Sequence, residues 1–196
     1  MQPAIALIEF DSIAIGVRAG DAMVKRAPVE VTYAGTVHPG KYLVLVGGDV
    51  ASVEESYAAG LAAGGESVVD KIFLPSAHPD IARYLRGMRG RVTGDALGIV
   101  ETRTVAATLG AADRGLKGAD VDLVELKLAD RLGGKAYCIF SGTVADAEAA
   151  VEIAVDNLED PATLVAQVVI PDFHDEMLAN LEAATEFSLR IAGGRG

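Results

Sequence analysis

The chain alternates short apolar runs with longer amphipathic stretches, which predicts strands and helices in regular succession. Residues Ala4–Phe10 form an apolar run of strand length. Residues 12–26 follow with apolar positions repeating every three to four residues, the period of a helix that packs one side on a core. The positions on that side are Ile13, Val17, Gly20 and Val24.

Two further strands, a second helix and a fourth strand complete the first half of the chain. The runs 29–37 and 41–47 flank the turn sequence HPG, which predicts a hairpin. Asp49 is a favourable N-cap for the next helix. A strand at 71–74 then ends at a proline, and a short helix follows. The predicted buried positions of the second helix are Val50, Val53, Tyr57 and Leu61.

The whole pattern occurs twice along the chain. Residues 4–33 align with 96–125 at a constant offset of 92, and eight of the thirty positions are identical. Two residues are inserted before Gly134-Lys135, which matches Gly40-Lys41, and two more before the last strand. Equivalent pairs include Glu9 with Glu101, Asp21 with Asp113, Lys25 with Lys117, Pro75 with Pro171 and His78 with His174.

This repeat predicts an α/β (α+β) protein made of two tandem β-α-β-β-α-β units of the ferredoxin-like, split βαβ type. We expect the first domain at residues 1–87, a Gly- and Arg-rich linker at 88–95 and the second domain at 96–185. Residues 186–196 are expected to form a flexible tail.

The composition and the distribution of charged and apolar residues argue against several classes of function. The net charge of -11 and the lack of a basic run argue against nucleic acid as a partner. No apolar run is long enough to span a membrane, and the first residues do not resemble a signal peptide. The single cysteine, Cys138, lies in the apolar run AYCIF and is expected to be a buried core residue.

The stretch GTVHPGKY resembles a phosphate-binding P-loop but lacks two of its features. Tyr42 stands where a P-loop has the Ser or Thr that holds Mg²⁺. The sequence after Lys41 continues as a strand, whereas a P-loop leads into a helix. Gly40 and Gly134 are therefore interpreted as hairpin residues with a positive φ angle.

For the histidines and the repeated glutamates, a structural role explains the pattern better than a catalytic or metal-binding role. The three histidines lack the spacing of a metal motif, and the equivalence of His78 and His174 favours capping of the short last helix. For Glu9 and Glu101 we expect helix-capping or turn contacts rather than catalysis. Lys25 and Lys117 each end the first helix of their copy, which hints at a shared use.

These motifs resemble those of a known family. The pattern I-E-x-x-S/T-I/V-A, then D-A/R-x-x-K-x-A-x-V, a G-K turn and a G-D/T-V helix start is similar to bacterial microcompartment shell domains. Two such domains in one chain resemble the tandem-domain trimeric type (BMC-T), and the match is best to its PduT-like single-layer branch. The resemblance covers residues 4 to about 182.

The resemblance implies a structural protein and not an enzyme. Such proteins are homotrimeric pseudohexamers with a central pore for small metabolites, and they tile with other shell proteins into the wall of a cytoplasmic bacterial organelle. It implies that Lys25 and Lys117 lie at the tile edge. Two loops would surround the pore: Val37, His38, Pro39 and Gly40, and Asp130, Arg131, Leu132, Gly133 and Gly134.

The pore residue His38 is where the chain departs from that branch. The branch carries there a cysteine that holds an iron–sulfur cluster, and clusters are usually held by thiolates. With histidine at this position, no iron–sulfur cluster is expected. Three His38 side chains on a threefold axis could line the pore or ligate a metal such as Zn²⁺.

Two other functions remain open at this point. A trimeric ferredoxin-like regulator would bind a small molecule between subunits and would never form sheets. A nucleotide-binding enzyme built on GTVHPGKY would lose ATP or GTP binding in Lys41→Ala. Neither explains why both copies keep the lysine at position 25 or 117.

Overall fold

The chain forms two compact units in a computed structural model that describes residues 4–129, 132–174 and 176–178. Within these ranges the first unit runs through Ala77 and takes in the loop from Ala129 to Gly134. The second unit comprises His78–Leu128 and the described residues from Lys135 onward.

The first unit is a four-stranded antiparallel sheet with two helices packed on it. Its strands lie in the order β2-β3-β1-β4. Ser12 and Asp49 cap the two helices through their side-chain oxygens, as their residue types predict. The elements are β1 (Ala4–Phe10), α1 (Ile13–Arg26), β2 (Glu30–Val37), β3 (Lys41–Gly48), α2 (Val50–Gly64) and β4 (Val68–Leu74).

The second unit repeats this sheet and carries an additional helix at its start. Its strands lie in the equivalent order β6-β7-β5-β8. The registers also match, because Ala4 pairs with Gly48 and Ala96 pairs with Gly142. The predicted tandem β-α-β-β-α-β fold is therefore confirmed. The elements are α3 (Pro79–Leu85), β5 (Ala96–Thr102), α4 (Val105–Gly118), β6 (Asp122–Leu128), β7 (Ala136–Gly142), α5 (Val144–Asp156) and β8 (Leu164–Pro171).

The segment between α3 and β5 packs closely against the second sheet. The backbone N–H groups of Thr93 and Gly94 donate to Ser141 Oγ at 3.1 and 3.0 Å. A Cβ atom at Gly94 would collide with the backbone of Gly142. Val92 packs on the apolar cluster of this unit. These contacts fix the segment along the ends of β6 and β7.

Helix α1 buries a different side from the one predicted. Its buried residues are Gly16, Ala19 and Met23, which join β1 and β3 in the core. Gly60 of α2 lets the two helices approach, since a Cβ there would lie 2.7 Å from Met23 Cγ. The prediction was wrong because small residues, rather than the bulkiest ones, mark the face where the helices meet. Ile13, Val17 and Val24 are exposed, and so is Val50 of α2.

The equivalent side of α4 is buried as predicted. Helix α3 packs against α4 and β6 in this unit. The equivalent apolar sides of α1 and α4 therefore differ in exposure: the one on α1 is exposed and the one on α4 is buried. The buried residues are Val105, Leu109, Ala112 and Leu116.

Candidate functional site

The β2–β3 turn presents a histidine at its tip. Val37 is buried, whereas His38, Pro39 and Gly40 are exposed. The turn is closed by a hydrogen bond from the Gly40 N–H to the Val37 carbonyl at 2.9 Å. Gly40 has a φ angle of 112°, a conformation that favours glycine, and the His38–Pro39 peptide is cis. The prediction of a hairpin turn with positive φ at Gly40 is confirmed.

The loop after β6 lies beside this turn in the first unit. A Cβ atom at Gly134 would lie 3.1 Å from Pro39 Cδ and 3.4 Å from the His38 carbonyl oxygen. Gly133 and Gly134 have φ angles of 62° and 86°, and Leu132 donates its N–H to the Ala129 carbonyl. The two loops assigned to the pore are therefore close together where the structure describes them. Asp130 and Arg131 lie outside the described residues.

Lys41, the lysine of the P-loop-like stretch, forms an ion pair with a carboxylate. Its Nζ lies 3.1 Å from the carboxylate of Glu9, whose side chain is fully buried. Lys41 begins the strand β3 rather than a helix, so the stretch lacks the helix N-terminus that binds phosphate in a P-loop. Lys135 and Glu101 form the same pair at 2.5 Å in the second copy, with both side chains more exposed.

Sequence analysis did not identify the lysines as the partners of Glu9 and Glu101. A contact at the turn was predicted for the glutamates, and its partner is the lysine that follows each turn. The signal was present, because both copies keep the glutamate and the lysine together. Because β1 and β3 pair antiparallel with Glu9 opposite Leu43, Lys41 is a diagonal neighbour of Glu9 on the same face of the sheet.

Lys25 and Lys117 have the same partner in the two copies but different surroundings. Each lies 2.6 Å from an aspartate one turn earlier, Asp21 or Asp113. Asp113 is buried and also accepts a hydrogen bond from the His78 N–H at 2.7 Å. Asp21 is exposed. Lys117 thus neutralises a buried carboxylate, whereas Lys25 belongs to a surface pair.

The predicted caps at His78 and His174 are confirmed. The His78 Nδ1 accepts from the Asp80 N–H at the start of α3. The His174 Nδ1 accepts from the Glu176 N–H at the same distance of 3.3 Å. Each histidine therefore caps the short helical segment that follows the last strand of its copy.

A buried polar cluster around Glu125 lies on β6 and β7 of the second copy. Burial raises the pKa of Glu125, although Arg89, 3.6 Å from its carboxylate, acts in the opposite direction. Burial also raises the pKa of Tyr137, which hydrogen-bonds to Glu125, and the pKa of Tyr84 to about 12. The Tyr84 hydroxyl donates to the Val124 carbonyl. The first copy has Tyr33 at the position of Glu125, so this cluster is not part of the repeat.

No metal centre is formed within one chain by the described residues. Groups of three or more His, Cys, Asp or Glu side chains close enough to hold a metal ion do not occur among them. Cys138 is buried in β7, and burial raises the pKa of its thiol to about 12. Its thiol is therefore poorly suited to act as a ligand.

The arrangement of two equivalent sheets, each with a G-K turn, can be compared with known proteins. The profile of the BMC domain matches residues 4–77 and again residues 96–173. The chain belongs to the BMC domain family. Among curated proteins it is 40% identical to the bacterial microcompartment shell protein PduT of Citrobacter freundii, over 90% of this chain and 96% of that protein.

Two further relatives agree with this assignment. A crystal structure of a microcompartments protein from Desulfitobacterium hafniense DCB is 40% identical and superposes with a TM-score of 0.79. The match covers 90% of this chain and 98% of that one. The carboxysome assembly protein CcmO of Synechocystis is 27% identical over 93% of this chain and 65% of its own length.

The BMC protein described here is a structural shell protein of a bacterial microcompartment and not an enzyme, as the resemblance predicted. The regulator and the nucleotide-binding enzyme find no support in these relatives. None of the helices among the described residues combines the length and the apolar character needed to cross a bilayer.

Proposed function

We propose that this shell protein assembles into a homotrimer of six BMC domains, which forms a tile of the microcompartment wall. The observation that carries the proposal is the presence of two BMC domains with the same strand order and register in one chain. Three copies of such a chain supply six nearly equivalent domains around one axis.

The centre of the tile is proposed to be a pore lined by the two loops. Support comes from the exposure of His38 and from its closeness to the Gly134 loop in the first unit. Around a threefold axis, three His38 side chains and three copies of the longer loop would alternate. A pore of this kind passes small metabolites.

His38 is proposed to line the pore without a bound metal. Each chain would contribute only the His38 imidazole to this position, so a metal there would need all three subunits. The described residues of one chain offer no group of three or more metal-ligating side chains. Metal analysis of anaerobically purified protein, with His38→Ala as the control, tests this. About one metal ion per trimer that is lost in His38→Ala would overturn plain lining. Iron with sulfide would instead indicate a cluster.

The edge of the tile is proposed to include Lys25 and Lys117, which would contact other shell proteins. Both lysines end the first helix of their domain, and both remain at least partly exposed beside their aspartates. Equivalent edges on six domains would allow tiles to meet in every direction of a flat layer.

The mass of the assembled protein tests the proposed trimer, and the formation of sheets tests the proposed tile. We expect sedimentation equilibrium to give three times the chain mass of 20.2 kDa, and electron microscopy to show ordered sheets at higher concentration. A monomer at micromolar concentration would contradict the trimer. A discrete trimer that never forms sheets would contradict the tile and favour the regulator.

A further inference from the structure

The two copies expose one apolar surface very differently. Val17 on α1 is 52% exposed, whereas the equivalent Leu109 on α4 is fully buried. The same contrast holds along the helix and on the neighbouring edge strand. The pairs are Ile13 with Val105, Val24 with Leu116, and Val31 with Leu123, the first of each exposed and the second buried.

Helix α3 accounts for the burial in the second unit. It packs on α4 and β6, and its buried residues include Ile81 and Leu85. The N-cap residue of α3, His78, donates its backbone N–H to the Asp113 carboxylate at 2.7 Å. The Asp113 side chain is consequently 5% exposed, compared with 55% for the equivalent Asp21. The chain thus contains both the surface and the segment that covers it.

The second copy carries the counterpart of that covering segment. Residues 174 and 176–178 follow β8 as α3 follows β4, and His174 caps them as His78 caps α3. Met177 takes the place of Ile81, but Met177 is 57% exposed whereas Ile81 is fully buried. One copy therefore leaves a surface uncovered, and the other leaves the matching segment exposed.

We propose that the uncovered surface on α1 and β2 is the docking site for the segment following β8 of a second copy of this chain. The partner's Met177 would pack on the stripe around Val17, as α3 packs on α4. Asp21 would accept a hydrogen bond from the backbone N–H of the partner's His174. The contact joins two different surfaces, so it is head-to-tail, and repeated around the threefold axis of the proposed trimer it would close as a ring. The inference rests on the proposed trimer and specifies which residues hold it.

Two single substitutions disable opposite sides of this contact. Val17→Asp and Met177→Asp each place an unpaired carboxylate in a surface that docking would desolvate. Both positions are exposed within the chain, so folding should be retained, which circular dichroism melting checks. Val50→Asp is the matched control, because Val50 and its equivalent Val144 are both exposed and show no asymmetry.

Sedimentation of the variants alone and in a mixture gives the decisive result. We expect the concentration for half-dissociation to rise about tenfold or more in Val17→Asp and in Met177→Asp, but not in Val50→Asp. Mixing the two variants should restore one intact contact, between the segment of the Val17→Asp chain and the α1 of the Met177→Asp chain. The mixture should therefore form dimers under conditions where each variant is monomeric.

The outcomes separate this inference from the trimer itself. A monomeric wild type would overturn both. A trimeric wild type whose Val17→Asp variant dissociates no more readily than wild type, or no more readily than Val50→Asp, would overturn the docking site alone. A mixture of the two variants that stays monomeric would overturn the pairing of these two surfaces.

Discussion

At the scale of single residues, the environment of a repeated pair determines its energetic role. Glu9 and Lys41 are almost fully enclosed, whereas Glu101 and Lys135 are partly solvated. A buried carboxylate depends strongly on its cation because water cannot replace it. The same two residue types can therefore be essential to stability in one copy and nearly dispensable in the other.

Substituting the two lysines by methionine measures this difference. Lys41→Met should lower the free energy of unfolding by about 3 kcal/mol, since it removes the cation that lies 3.1 Å from the buried Glu9 carboxylate. Lys135→Met should cost about 1 kcal/mol or less, because its pair is solvent-exposed. Urea denaturation of both variants checks the prediction. Equal losses would contradict the role of burial.

Glu125 should make stability depend on pH in the opposite sense to most carboxylates. Its raised pKa means that the folded protein holds the proton more tightly than the unfolded chain. Stability is therefore expected to fall as the pH rises from the ordinary value of 4.5 through the raised pKa. Glu125→Gln keeps the shape and removes the charge, so it should gain stability relative to wild type across this range.

The measurement is the free energy of unfolding at about pH 4 and about pH 7, with Glu54→Gln as the control. Glu54 is an exposed residue of α2 outside this cluster, so Glu54→Gln controls for the loss of a surface carboxylate. A difference between Glu125→Gln and wild type that stays constant with pH would show that burial does not govern this carboxyl group.

At the scale of elements, the periodic pattern predicted where strands and helices lie but not every buried face. β1 and the Asp49 cap of α2 agree with the sequence prediction, because strand length and capping are local properties. The side of α1 that faces the core differs from the prediction, because Gly16 and Ala19 carry no strong hydrophobic signal. A stripe of large apolar residues indicates that a surface is covered, but not by which chain.

The closeness of the two loops assigned to the pore could also not be predicted from local sequence patterns. The His38 turn and the Gly134 loop are 96 residues apart in sequence, and only the resemblance suggested that they belong together. The Glu125 cluster was missed for a related reason. It depends on tertiary packing between β6, β7 and the segment around Arg89, and no repeat or motif marks it.

The segment between α3 and β5 is expected to be a structural element rather than a flexible tether. Gly94→Ala should lower the free energy of unfolding by about 2 kcal/mol, because its Cβ would meet the rigid backbone of Gly142. Gly20→Ala is the matched control, since a Cβ there approaches only the Val44 side chain, at 3.3 Å, and the second copy has Ala112. That variant should be neutral or stabilised by about 1 kcal/mol.

Thermal and urea unfolding of both glycine variants provide the comparison. If Gly94→Ala were as stable as Gly20→Ala, the segment would have room to move away from β7. Its hydrogen bonds to Ser141 would then contribute little to holding it in place.

At the scale of the whole molecule, the proposed edge lysines are expected to control tiling without controlling the trimer. The variant with Lys25→Gln and Lys117→Gln is preferable to alanine, because Asp113 is buried and glutamine can still donate to it. We expect trimers of normal mass that form smaller or fewer sheets in electron microscopy. Sheets of unchanged extent would remove both lysines from the edge.

The hairpin turns also bear on how such a protein can change over time. The turn that precedes Lys135 in the second copy is two residues longer than the turn that precedes Lys41 in the first. The ion pair between the lysine and a glutamate is nevertheless present in both copies. The pair therefore anchors strand register independently of what the tip contains. The two-residue difference at the tip is accommodated while the strand order of the sheet is preserved. The aperture of the proposed tile could therefore evolve separately from its scaffold, and a foreign peptide could be grafted there by design.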